Sequence, residues 1–135
     1  GLPFAGALEI STTKTGCGTH VLHTFFQMED GSFLAFFDDP DTPFDFKAQR
    51  DFDLHIALEI DHQRLEPMLE RGREAGIESR GISDHGFIDS IYFRDPNGYV
   101  IELTARRPGH EDDVGDEGDP REILEKWTRD KAARQ

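Results

Sequence analysis

The chain is poor in cysteine, in basic residues and in long apolar runs. Its single cysteine, Cys17, excludes an internal disulfide and suits a reducing cytoplasm, which is the expected localisation. It sits in a Thr/Gly-rich loop with no readable His/Asp partnership, so it reads as a bystander rather than a nucleophile. Lys and Arg number 15 against 28 Asp and Glu, a formal net charge of −13. That balance repels phosphate backbones and argues against nucleic acid as a partner. The longest apolar runs fall far short of the roughly 20 residues that cross a bilayer, and no secretory signal is readable, so no membrane partner is expected. What the chain does have is bulk for a core. Hydrophobic residues make up 36%, and 11 are phenylalanine. A length of 135 residues suits one domain of modest size.

Part of the acid is concentrated in residues 109–118, whose HEDDVGDEG run (110–118) reads as a solvated linker. Residues 119–135 then supply an N-cap in Asp119, a proline at the first helical position, and Glu122 three residues past the cap. A C-terminal helix to about residue 133 follows, with Ile123, Leu124 and Trp127 on one face. That face is expected to pack back on the domain or on a partner subunit.

Two stretches repeat. HTFFQMEDGSFLAFF (23–37) aligns without gaps with SIYFRDPNGYVIELT (90–104) at an offset of 67 residues. Phe25 falls on Tyr92, Phe26 on Phe93, Gly31 on Gly98 and Leu34 on Ile101. Both read as hairpins closed by a glycine-containing turn, which suggests an internal duplication. Ahead of the second hairpin, DLHIALEI (53–60) alternates as a strand. Residues 61–75 read as an amphipathic helix through Leu65, Met68, Leu69 and Ala75, with Asp61 as cap and Gly76 as stop. Residues 78–82 read as a short strand, giving the order β-α-β-β-β. Ahead of the first hairpin stand only 22 residues. There Gly1-Leu2-Pro3 reads as a helix exit and residues 7–13 as the unit's second strand. A first strand and helix are expected before Gly1; either the chain was shortened or the fold finds that strand elsewhere.

Strand alternation sorts the polar residues. Leu54, Ile56, Leu58 and Ile60 form one apolar face, for the helix, and His55, Ala57 and Glu59 point away. Ile91 and Phe93 turn to the helix, and Ser90, Tyr92 and Arg94 oppose them. Tyr99, Ile101 and Leu103 turn to the helix, and Val100, Glu102 and Thr104 oppose them. His55, Tyr92 and Glu102 therefore share one face. In the first repeat His23, Phe25, Gln27, Phe33, Ala35 and Phe37 take that face, with Ala35 at the position of Glu102. A carboxylate on a buried strand is solvated, protonated or bound to a cation. On these residues alone, His55 and Glu102 read either as an exposed or satisfied pair or as a metal site. His20, His62 and His110 read as surface.

A strand opening on His, an amphipathic helix, and then H-G-x-x-x-S-x-Y-F-x-D-P-x-G-x-x-x-E-L together resemble the vicinal oxygen chelate superfamily. Its members include glyoxalases, bleomycin- and fosfomycin-resistance proteins and type I extradiol dioxygenases. The resemblance covers residues 1–107 and is most specific in YFRDPNGYVIEL. It implies an α+β fold of paired βαβββ modules whose sheets curl around a divalent metal. Residues 1–108 would be one such domain, with 1–40 an incomplete first module and 52–107 the second.

The resemblance makes His55 and Glu102 metal ligands, and His85 and Tyr92 the residues that hydrogen-bond substrate or oxygen. In extradiol-like members the third ligand is a histidine on the first module's opening strand, and that module contributes no glutamate. Ala35 fits that pattern and departs from the glyoxalase pattern of one acid from each module. The expected protein is thus an extradiol dioxygenase-like oxidoreductase. It would use Fe(II), or alternatively Mn(II), Zn(II) or Ni(II), on a small catechol-type substrate and O2, with His23 and Phe25 lining the pocket. A glyoxalase-type isomerase or lyase, and a non-catalytic small-molecule (antibiotic) binder, are the alternatives. A homodimer is expected, because the unit without its helix would leave an apolar sheet face uncovered.

Overall fold

The computed structural model of the chain describes residues 1–43, 45, 50–110 and 118–134. The chain divides into two compact units, Gly1–Asp45 and Phe46–Gln135. Residues 111–117, most of the acidic linker, lie outside the described residues.

The first unit is an antiparallel sheet of β1 (Phe4–Thr12), β2 (Gly18–Gln27) and β3 (Phe33–Asp38), in that order. Residues 1–3, read above as a helix exit, instead continue the edge of the sheet, with Gln27 N–H donating to the Pro3 carbonyl at 3.0 Å. Phenylalanine rings cover both faces. Phe26 lies 5.7 Å from Phe4 and 5.8 Å from Phe36 on one side. On the other, His23 stacks on Phe37 at 3.9 Å and lies 4.1 Å from Phe25.

The second unit is β4 (His55–Glu59), a 3₁₀ turn (His62–Arg64), α1 (Leu65–Glu74), β5 (Ser79–Asp84), β6 (Ile88–Arg94) and β7 (Val100–Arg106). The sheet order is β4-β7-β6-β5. The α1 crossover lets β4 lie parallel to β7, while the other pairs are antiparallel. This is one complete βαβββ module. The expected helix over 61–75 begins instead with the 3₁₀ turn. Asp61 caps that turn without a side-chain bond, and Arg64 N–H reaches its backbone carbonyl. Gly76, at φ +70°, does end the helix.

The core lies between α1 and the sheet. Leu65, Leu69, Ile91, Leu103 and Ala105 are buried together, with Leu58, Ile60, Met68, Phe93 and Ile101 packed against them. The apolar face expected of β4, β6 and β7 thus meets the helix, which fixes the opposite face for His55, Tyr92 and Glu102.

The duplication holds at the level of register. Phe25 pairs with Ala35 and Phe26 with Leu34 in the first hairpin. Tyr92 pairs with Glu102 and Phe93 with Ile101 in the second. Each pair maps onto the other at the same offset of 67 residues, and Gly31 and Gly98 close the turns at φ +84° and +90°. Ala35 stands where Glu102 stands.

The last element, α2 (Pro120–Ala132), is capped by Asp119, whose carboxylate accepts from Arg121 N–H at 2.8 Å. None of its residues is buried, so of the two seats expected for it, the domain or a partner subunit, the first is not observed. Among the described residues no helix is long and apolar enough to cross a membrane.

Candidate functional site

Strand register sets out a grid on the face of the second sheet away from α1. One row runs Arg94, Val100, His55 across β6, β7 and β4; the next runs Arg80, Tyr92, Glu102, Ala57 from β5 to β4. His55 Nε2 lies 2.8 Å from Glu102 Oε2. The imidazole is 28% exposed and the carboxylate 13%. His85, from the β5–β6 turn, places Nε2 2.7 Å from Tyr92 Oη. All four residues expected of the site in this module therefore come together. His23 and Phe25 belong to the other unit, where they contact each other.

Burial pushes the Glu102 carboxyl up, but hydrogen bonds from Ser90, His55 and Tyr92 outweigh it and hold the group below its ordinary value. Glu102 is thus ionised at neutral pH. The Tyr92 phenol is pushed up, first by burial and then by the Glu102 charge, against a Ser90 hydrogen bond that pulls it down. It stays protonated. Its hydroxyl is hydrogen-bonded to His85 Nε2, which ties the β5–β6 turn to this face of the sheet.

His55 Nδ1 lies 3.0 Å from the Asp51 carbonyl, an acceptor only, so Nδ1 carries a proton. Its Nε2 faces an ionised carboxylate, and only a cation between them makes that contact attractive. A proton on Nε2 supplies one such cation; a metal ion would supply another. Donors at about 2.0–2.2 Å from a shared first-row ion sit roughly 3 Å apart when adjacent, close to the observed 2.8 Å. Imidazole and carboxylate suit such a metal, so the pair fits two positions of a divalent site. Among the described residues no group of three His, Cys, Asp or Glu is placed to hold one. Two donors alone bind weakly.

Two contributors escaped the sequence reading. Ser90 is fully buried, its hydroxyl 3.2 Å from that of Thr104, and it supports Glu102. Alternation had placed it on this face without giving it a role. Asp51 lies ahead of β4, where no periodicity reaches it. Its carboxylate takes Arg80 at 3.2 Å and also Arg94, and the Arg80 guanidinium lies 4.6 Å over the Tyr92 ring. Asp51, Arg80, Tyr92, Arg94 and Val100 line a cleft of about 80 Å³ beside the pair. Of the histidines read as surface, His62 is half exposed but pairs with buried Asp89 at 2.8 Å on the helix side.

No protein-family model and no curated protein matches the chain. Solved structures do. A glyoxalase/dioxygenase from Nostoc punctiforme is similar at TM-score 0.54 and 27% identity, over 63% of this chain and 60% of that one. A glyoxalase family protein from Bacillus cereus reaches TM-score 0.59 at 20% identity, over 78% of each chain. The fosfomycin resistance protein FosX of Listeria monocytogenes, complexed with Mn(II) and sulfate, gives TM-score 0.51 at 25% identity, over 77% of this chain and 75% of that one. The fold is that of the vicinal oxygen chelate superfamily. Within it, His55 opens the first strand of a βαβββ module, and Glu102 lies beside it on the last strand. The FosX complex carries Mn(II) in a protein of this fold.

Proposed function

We propose that this vicinal oxygen chelate protein is a divalent-metal oxygenase of the extradiol type, with His55 and Glu102 as two of the ligands. The observation that carries the subtype is Ala35. It holds the register position of Glu102 in the first hairpin, and an alanine there removes the second acid of the glyoxalase pattern. When bound, Fe(II) supplies open positions at which a catechol and O2 meet. The chain's own residues then orient and move protons. Glu102 stays ionised, which suits it to hold a cation. Tyr92 stays protonated and stands ready as a hydrogen-bond donor to an anionic oxygen, and His85 behind it can replace the proton. The test is a panel of catechols. Anaerobic loading with Fe(II), then addition of catechols and oxygen, is expected to give equimolar oxygen uptake and a ring-opened product. Absence of uptake with every catechol tested would overturn the reading.

A second reading is favoured by the Mn(II)-bound FosX neighbour. On that reading the same pair would hold Mn(II), and the protein would add water across the epoxide of a phosphonate such as fosfomycin, breaking one C–O bond and giving the diol. Incubating the Mn(II)-loaded protein with fosfomycin and following loss of the epoxide by phosphorus NMR separates the two.

A further inference from the structure

We propose that Arg80 is a specificity-determining residue, which takes a carboxylate carried on the substrate ring, so that acidic catechols are preferred to neutral ones. The inference rests on the metal reading above and narrows its substrate class.

Arg80, Tyr92 and Glu102 are register partners, in that order, on β5, β6 and β7. Two strand spacings, about 9–10 Å, separate the first from the last. One aromatic side chain lies between them, and the Arg80 guanidinium stands 4.6 Å from its ring centroid. A single row thus carries a cation at one end and the proposed metal ligand at the other, with a benzene ring between. A substrate ring lying over Tyr92 with its two hydroxyls at the metal would bring its far substituent to Arg80. Of the two arginines in the cleft, only Arg80 is equipped to take that substituent. Arg94 is 28% exposed and already holds Asp51, the Gly98 carbonyl at 3.0 Å and Glu78 at 3.5 Å. The Arg80 side chain is 62% exposed, and among the described residues its one ion-pair partner is Asp51, reached through Nη1 at 3.2 Å. A guanidinium has five N–H donors in a planar fork that matches a carboxylate. The Tyr92 ring beneath limits the directions that fork can take, so less freedom is lost when an acid binds. Asp51 opposes an incoming acid by partly neutralising Arg80, which makes the hold on a lone carboxylate weak and the ring's other end necessary. The formal charge of −13 gives an acid no general attraction to this chain. A preference for acidic catechols therefore has to come from a local cation.

The test uses the full chain in two states. In the metal-free, nitrogen-15 labelled chain, benzoate is titrated while the arginine Nε–Hε signals are followed by NMR. The Arg80 signal, identified by its loss in Arg80→Gln, is expected to move saturably, and the Arg94 signal far less. In the Mn(II)-loaded chain under nitrogen, calorimetry compares protocatechuate, a catechol with a ring carboxylate, with catechol itself. Arg80→Gln is expected to lower affinity for protocatechuate about tenfold or more and to leave affinity for catechol unchanged. Arg80→Lys, which keeps the charge without the fork, is expected to retain part of the preference. Asp51→Asn frees Arg80 from its competitor and is expected to raise affinity for protocatechuate alone, a gain that no damaged fold would produce. Benzoate that left the Arg80 signal in place would overturn the proposal. So would an Arg80→Gln variant that bound both ligands as the parent does, or lost both equally. A parent that bound neither catechol, but whose Arg80 signal followed benzoate, would sink the metal reading and leave the carboxylate site standing.

Discussion

Glu102 is a carboxylate on an interior strand that folding favours in its charged form. Three neighbours, Ser90, His55 and Tyr92, hydrogen-bond it and outweigh the cost of its burial. Its folded value lies below the group's ordinary value, so the linked stabilisation is present above the unfolded value and disappears as pH falls through the folded one. Glu102→Gln is therefore expected to lose about 1–2 kcal/mol at neutral pH, with the deficit against the parent closing as pH falls below the ordinary carboxylate range. Urea unfolding at both pH values checks it; a deficit that stayed constant or widened on acidification would contradict the account. The same variant is expected to weaken Mn(II) binding. At this scale the sequence was informative where side chains obey a period. Two-residue alternation put His55, Tyr92 and Glu102 on one face because all three lie in strands. It could not reach Asp51, which lies in an irregular segment and acts partly through a carbonyl, a group that every residue has.

Helix α1 owes its close seat on the sheet to Gly72. A Cβ there would stand 2.2 Å from Phe93 Cε1, and the aromatic ring would have to give way. Leu65 and Leu69, the fully packed residues of the helix, form one stripe with Gly72. Ala at an ordinary helical glycine gains about 1 kcal/mol. Here overpacking costs about 1–3 kcal/mol and outweighs it, because Phe93 is itself packed against the core. Gly72→Ala is expected to lower the midpoint of thermal or urea unfolding, and Gly72→Ala/Phe93→Leu to recover part of the loss. A single variant more stable than the parent would show that the ring moves freely. The element order of this module was legible because helix and strand periods differ. The start of α1 was not: an N-cap aspartate looks alike before a 3₁₀ turn and before an α-helix, and hydrogen bonding inside the turn decided between them. The hairpins were the most legible part. A gapless 67-residue offset in sequence became an identical strand register, because a shift of one residue would have turned every aromatic side chain to the other face.

For the whole molecule the apolar surface left exposed and the net charge pull in opposite directions. In the first unit Phe4 is 63% exposed and Phe37 65%, and on α2 Leu124 is 65% and Trp127 63% exposed. Exposed apolar surface of this kind favours association, and a symmetric dimer is its commonest outcome. A formal charge of −13 on each chain opposes it. Salt weakens the repulsion and leaves hydrophobic contact intact, since the screening length falls from about 30 Å at 0.01 M to about 8 Å at 0.15 M. Dimerisation is therefore expected to strengthen with ionic strength, opposite to the behaviour of an interface held by ion pairs. Sedimentation equilibrium across a salt series reads this directly. Trp127, the only tryptophan in the chain, reports whether α2 takes part: its emission is expected to shift to the blue, and its quenching by acrylamide to fall, as dimer forms. Trp127→Ser is expected to weaken the dimer without altering unfolding of the second module, because α2 buries no residue. A monodisperse monomer at every salt concentration, with a cooperative melt, would show that the exposed phenylalanines and the α2 stripe need no second copy.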